Sequence, residues 1–94
     1  MKNIYGKVTE NVGLHARPAS VAVTEASKYD SNITLQYMGR AANMKSIIQV
    51  MKLSVPANGE IEIQCEGEDE ERAAAGIAEI LEKKHIIQRT KKEV

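Results

Sequence analysis

Gly13-Leu14-His15-Ala16-Arg17-Pro18-Ala19-Ser20 is the stretch that decides this chain. A proline is tolerated in the first turn of a helix, where N–H groups have no intrahelical acceptor, but not deeper. Pro18 therefore fixes a helix start at about His15 or Ala16. Behind it Ala19, Ala22, Val23 and Ala26 recur at helical spacing, so Pro18 to Tyr29 reads as an amphipathic helix with a small core face. At such a start the N–H groups of Ala16 and Arg17 point past the His15 ring beside the positive end of the helix dipole, and Arg17 adds a fixed charge. That is the chemistry of a phosphate site.

Working outward, Lys2 to Val8 alternates, with Ile4, Gly6 and Val8 on one face and Tyr5 on the other, as in a half-buried strand. Asp30-Ser31-Asn32 ends the helix with turn chemistry, and Ile33, Leu35 and Tyr37 alternate as a second strand. Met38-Gly39 makes a tight connection into a short third strand near Arg40 to Ala42. Ser46 to Leu53 reads as a short helix with Ile47, Val50 and Met51 inward, its Ser46 and Gln49 spaced as a capping box. After a loop at Pro56 to Gly59, Ile61, Ile63 and Cys65 form a last strand. Asp69 is placed to cap a final helix, with Glu70 and Glu71 at its positive end, Ala73, Ile77, Ile80 and Leu81 inward, and Lys83 and Lys84 at the other end. The order strand, helix, strand, strand, helix, strand, helix predicts an α+β domain: an antiparallel sheet with helices gathered on one face. Residues 1–84 are expected to form this domain and 85–94 a C-terminal tail that extends the helix or frays.

At 94 residues the chain holds a single core. Lys plus Arg and Asp plus Glu balance at 13 each, so the net charge gives no reason to expect a nucleic acid or anionic membrane partner. The lone Cys65 has no internal disulfide partner and there is no long apolar stretch, which points to a cytoplasmic protein. Without Trp or Phe, base-stacking platforms are not expected.

An exposed imidazole can serve as nucleophile, general base or metal ligand, and a lone surface histidine is most often only a solvated side chain. A metal site is poorly supported, because the other histidine, His85, lies in the tail and no ligand spacing accompanies either. Hydrolysis is poorly supported too: Ser20 lies one turn into the helix, but no acidic orienter is near it in sequence. Anion chemistry is well supplied, and neither a metal nor a cofactor is called for.

The motif Gly13-Leu14-His15-Ala16-Arg17-Pro18-Ala19-Ser20, together with Ser46-Ile47-Ile48-Gln49-Val50-Met51 and Ala26-Ser27-Lys28-Tyr29-Asp30, resembles the histidine-containing phosphocarrier (HPr) family of the bacterial sugar phosphotransferase system. The resemblance runs from about Lys2 to Lys84. It implies an open-faced βαββαβα sandwich with a four-stranded antiparallel sheet and three helices on one face. It also implies a carrier rather than an enzyme: enzyme I, charged by phosphoenolpyruvate, phosphorylates Nδ1 of His15, Arg17 and the Ala16 N–H steady the phosphate, Pro18 sets the helix start, and enzyme IIA proteins receive the group.

In Gram-positive members the residue matching Ser46 is phosphorylated by HPr kinase/phosphorylase, and the modified protein is a corepressor for the catabolite control protein. As a serine at a helix start, Ser46 is also a sufficient cap with no further role. Between the two sites the sequence places an apolar docking contact of Ile48 with Ala16, Ser20 and parts of Ile47 and Met51, ringed by Arg17, Lys45 and Lys52. Gln49 and Lys52 stand where the family commonly has glycine and serine, Ile48 where it has methionine or phenylalanine, Val12 where it has a small polar residue, and Met38 where it has asparagine. With the long tail, these departures suggest a paralogue. The alternative to a carrier is therefore a regulatory adaptor that controls carbon metabolism through protein binding.

Overall fold

Alternation along Lys2-Asn3-Ile4-Tyr5-Gly6-Lys7-Val8 gives the expected strand: β1 (Lys2–Val8) buries Ile4, Gly6 and Val8 and exposes Lys7. The computed structural model describes residues 1–90. Helix α1 (Ala16–Ala26) follows, then β2 (Asn32–Tyr37), β3 (Arg40–Asn43), helix α2 (Ile47–Lys52), β4 (Glu60–Glu66), helix α3 (Glu70–Lys83) and β5 (Ile87–Arg89). Every strand pairing is antiparallel, in the order β3-β2-β4-β1-β5. Met38 and Gly39 both have positive φ (52° and 77°), as the two-residue β2–β3 hairpin requires.

One face of the sheet presents Ile4, Val8, Ile33, Leu35, Ile61, Ile63 and Cys65, all buried. The helices cover it. Ala19, Ala22 and Ala26 of α1 and Ala73 and Ala78 of α3 are at most 2 % exposed, and these small side chains let the two helices lie close to each other and to the strands. The other face carries the polar series Asn3, Tyr5 and Lys7 of β1 and Glu60, Glu62 and Gln64 of β4. The α+β architecture read from the sequence is thus the observed one.

The sheet has five strands instead of four, because the tail neither extends α3 nor frays over its described length. His85 takes φ +59°; its N–H donates to the Glu82 carbonyl (3.0 Å) and the Ile86 N–H to the Leu81 carbonyl (2.8 Å). This is a Schellman stop, which normally uses glycine at the His85 position. The chain turns back, buries Ile86 (2 % exposed) and Ile87 (3 %), and pairs β5 with β1 through Gly6↔Arg89, Lys7↔Gln88 and Val8↔Ile87. Residues 91–94 of the expected tail lie outside the described residues.

Three local expectations change as well. In α2 only Val50 is buried; Ile47 and Met51, expected inward, are 37 % and 38 % exposed, since six residues present too narrow a face to bury a full stripe. Half of the capping box forms: Ser46 Oγ accepts from the Gln49 N–H, but the Gln49 amide oxygen accepts from the Asn43 N–H instead of reaching back to Ser46. Asp69 stands at the start of α3 without capping it through its side chain. Its carboxylate instead accepts from the N–H groups of Asp30 and Ser31 and from the Ser31 hydroxyl, tying the α1–β2 turn to α3. Those bonds hold the Asp69 carboxyl below the usual aspartate range, the Ser31 hydroxyl contributing most.

Candidate phosphoacceptor site

The loop before α1 is built tightly. The Gly13 N–H donates to the Glu10 carbonyl (3.0 Å), the Leu14 N–H to the Val55 carbonyl (2.9 Å) and the His15 N–H to the Gly13 carbonyl (2.9 Å). Gly13 has φ +76°, and a Cβ there would stand 2.2 Å from the Val55 oxygen, so only glycine passes this point without displacement. Leu14 is buried as the anchor, and His15 emerges as the N-cap residue of α1, exposed and in extended conformation (φ −82°, ψ −172°).

The His15 ring makes no capping hydrogen bond. The first-turn N–H groups of Ala16 and Arg17 have no intrahelical acceptor, and Pro18 has no N–H to offer. Ala16, Arg17 and Ser20 are exposed and Pro18 is buried; among the described residues Arg17 forms no ion pair. A nucleophilic ring, a helix N-terminus and an unpaired guanidinium therefore share one surface.

Two depressions meet at His15. One, of about 330 Å³, is lined by Val12, Leu14, Met51, Ser54, Val55 and Pro56 as well as His15. The other, of about 440 Å³, is lined by Glu10, Val12, His15, Ala16, Arg17 and Pro18. The fold thus brings Met51 of the second helix against the first motif, as the sequence reading required. Ser54, Val55 and Pro56 were missed as parts of the site, because their proximity comes from the Leu14–Val55 contact and not from any spacing along the chain, whereas Glu10, five residues before His15, was within reach of the sequence and was not weighed. Glu10 also places a carboxylate in the depression that holds Arg17 and His15, where none was expected.

Ile48 is 65 % exposed and lies with Ile47 and Met51 on the surface of α2, so the apolar contact read from the sequence is accessible. The three cations expected around it are placed differently. Lys45 donates from Nζ to the Tyr29 carbonyl (2.6 Å), which holds its ammonium beside the chain just after α1. Lys52 lies on a different flank of α2, in a depression shared with Arg40, Gln49 and Leu53, where Arg40 donates to the Leu53 carbonyl. Of these three, Arg17 is the one that lines a depression with His15.

Among the described residues no cluster of His, Cys, Asp and Glu fits a metal ion, and no helix is long and apolar enough to cross a membrane. Burial, with help from the Glu70 and Asp69 charges, pushes the Cys65 thiol up to about 11. It is a core residue.

Fold and surface together define a small open-faced sandwich that exposes one histidine at a helix start. Residues 6–83 match the family model described as the PTS HPr component phosphorylation site, and the chain belongs to the HPr family of phosphotransferase-system phosphocarriers. It is similar to the histidine-containing phosphocarrier protein of Mycoplasma, with 40 % identity over 93 % of this chain and 99 % of that one at a TM-score of 0.89. It is also similar to the phosphocarrier HPr of Bacillus anthracis, with 33 % identity over 84 % and 94 % of the two chains at a TM-score of 0.77. A third relative is the Bacillus subtilis catabolite repression protein Crh, described as a domain-swapped dimer, with 34 % identity over 87 % and 93 % at a TM-score of 0.69.

Proposed function

We propose that His15 accepts a phosphoryl group from enzyme I and passes it to enzyme IIA proteins. The observation that carries this reading is the exposed, unengaged His15 ring at the N-terminus of α1 beside Arg17. In the accepting step the lone pair of Nδ1 attacks phosphorus. The bond from phosphorus to its atom on enzyme I breaks, and that electron pair leaves with enzyme I. The transferred group then sits where the Ala16 and Arg17 N–H groups can donate to it. A helix terminus contributes about 0.3–1 kcal/mol at an exposed site, and a hydrogen bond from the Arg17 guanidinium about 1.5–3 kcal/mol. Such sums retain the group without trapping it, which a carrier needs because extra stabilisation of the charged form raises the barrier to the next transfer.

Incubation with phosphoenolpyruvate and enzyme I, followed by mass spectrometry, tests this. An acid-labile adduct that disappears in His15→Ala is the expected result, and an uncharged wild-type chain refutes it.

A second activity on the same molecule is favoured by the surface of α2. Ser46 caps that helix through its hydroxyl, and Ile47, Ile48 and Met51 stand exposed immediately after it. HPr kinase/phosphorylase modification of Ser46 would place about −1.5 to −2 charges at the edge of this apolar contact, repelling acidic partners and so shifting partner choice toward the catabolite control protein. The likeness to Crh supports this adaptor role.

A further inference from the structure

The contact between the His15 loop and the exit of α2 has a consequence for transfer that neither motif contains alone. Helix α2 ends at Lys52 with Leu53 as its C-cap, and Ser54 takes φ +53°, turning the chain so that the Val55 carbonyl faces the first motif. That carbonyl accepts the Leu14 N–H at 2.9 Å, one residue before the phosphoacceptor, while the Gly13 backbone passes beneath it. The next N–H, of His15, closes on the Gly13 carbonyl. The His15 backbone is thereby referenced to α2, the element that exposes Ile47, Ile48 and Met51.

We infer that the Val55 carbonyl is a positioning group for His15: by clamping Gly13 and Leu14 to the end of α2, it makes the docking surface and the reacting ring one rigid unit. A partner that seats on α2 then finds Nδ1 at a fixed distance and direction. The inference rests on the reading of His15 as the phosphoacceptor. In-line transfer depends on such placement, and a shift of about 1 Å in the reacting atom costs roughly 10²-fold in rate.

Two glycines allow a matched test. Gly13 and Gly39 have almost the same φ (76° and 77°), so alanine imposes the same backbone penalty at each. They differ in surroundings: a Cβ at Gly39 meets nothing within 4 Å, whereas one at Gly13 would lie 2.2 Å from the Val55 oxygen. Ordinary van der Waals contact begins at 3.4 Å, so the loop has to retreat by more than 1 Å.

Transfer from phosphoenolpyruvate-charged enzyme I is measured against carrier concentration for wild type, Gly13→Ala and Gly39→Ala, each checked by circular dichroism. The expected result is a kcat for Gly13→Ala lower by roughly 10²-fold with KM within about threefold, and unchanged values for Gly39→Ala. Should Gly13→Ala not fold, an amide-to-ester replacement that removes only the Leu14 N–H decides the matter, with kcat expected to fall about tenfold at constant KM. A Gly13→Ala or ester variant that keeps wild-type kcat, or loses efficiency through KM alone, overturns the positioning role while leaving His15 as acceptor. A wild-type chain that takes no phosphate removes both.

Discussion

Replacing Ile86 by alanine tests whether the segment after α3 is part of the core. Ile86 is 2 % exposed, its N–H closes the Schellman turn on Leu81 at 2.8 Å, and its carbonyl accepts the Thr9 N–H at 2.8 Å. The main chain of Ile86 is therefore tied to α3 on one side and to the end of β1 on the other, and backbones so tied cannot readily collapse into the space its buried side chain would leave. Ile→Ala in such a setting costs about 2–5 kcal/mol. With both neighbours fixed, about 3 kcal/mol is expected. That is a large share of the roughly 5–15 kcal/mol that stabilises a domain, and it lowers Tm by about 12–24 °C at 4–8 °C per kcal/mol.

The assay is urea unfolding followed by circular dichroism, with Gln88→Ala, an exposed β5 position, as control at under about 0.5 kcal/mol. His85→Gly should move the other way. Relief of the left-handed backbone, about 1–2 kcal/mol, less the added freedom of the unfolded chain, about 0.4–1 kcal/mol, leaves roughly 0.5–1 kcal/mol of stabilisation. A loss below about 1 kcal/mol for Ile86→Ala, or equal losses for Ile86→Ala and Gln88→Ala, would refute the packing argument.

Arg17→Ala is expected to slow charging of His15 by roughly tenfold or more while leaving urea stability within about 0.5 kcal/mol, because the exposed side chain makes no ion pair; equal damage to both would count against its role. Ser46→Asp should impair charging by enzyme I without a large change in Tm, since the new charge lies at a helix start; unchanged kinetics would remove the proposed switch. The Asp69 carboxyl titrates below its ordinary value near 3.8, so its contribution to stability is present above that pH and disappears as pH falls through the lowered folded value. Asp69→Asn should accordingly flatten the acid limb of a stability profile taken over roughly pH 2–6, and an unaltered limb would show that other carboxylates govern it. The Cys65 thiol, protonated at neutral pH, should react with a disulfide reagent only as fast as the domain opens; rapid labelling of the native protein would contradict its burial.

The fold was legible where side chains obey a period. Alternation at Ile4, Val8, Ile33, Leu35, Ile61 and Ile63 marked the strands, and Pro18 fixed the start of α1 within a residue. What stayed hidden depended on backbone states and distant contacts. The stop at His85 uses a left-handed residue that is not glycine, so the usual punctuation was missing and β5 went unseen. Asp69 satisfies donors on Asp30 and Ser31, which no local spacing reveals. Of the candidate site, His15, Ala16, Arg17 and Pro18 stand together where their motif placed them, whereas the bond from Lys45 to the Tyr29 carbonyl, a partner sixteen residues away, follows from no local spacing. Val55 contributes a carbonyl, and main-chain groups leave no mark on residue identity.

Pairing Val8 with Ile87 joins segments separated by almost the entire described chain. β1 gains its second neighbour only when the chain beyond α3 has turned back, so until β5 docks one side of β1 is without a partner strand. During this interval β1 is a raw margin, with peptide groups turned outward and ready to recruit a strand from another molecule. Ile86→Ala, by weakening the segment that carries β5, should reopen the same margin. Turbidity would then begin below the calorimetric midpoint, and concentrated preparations would cloud first.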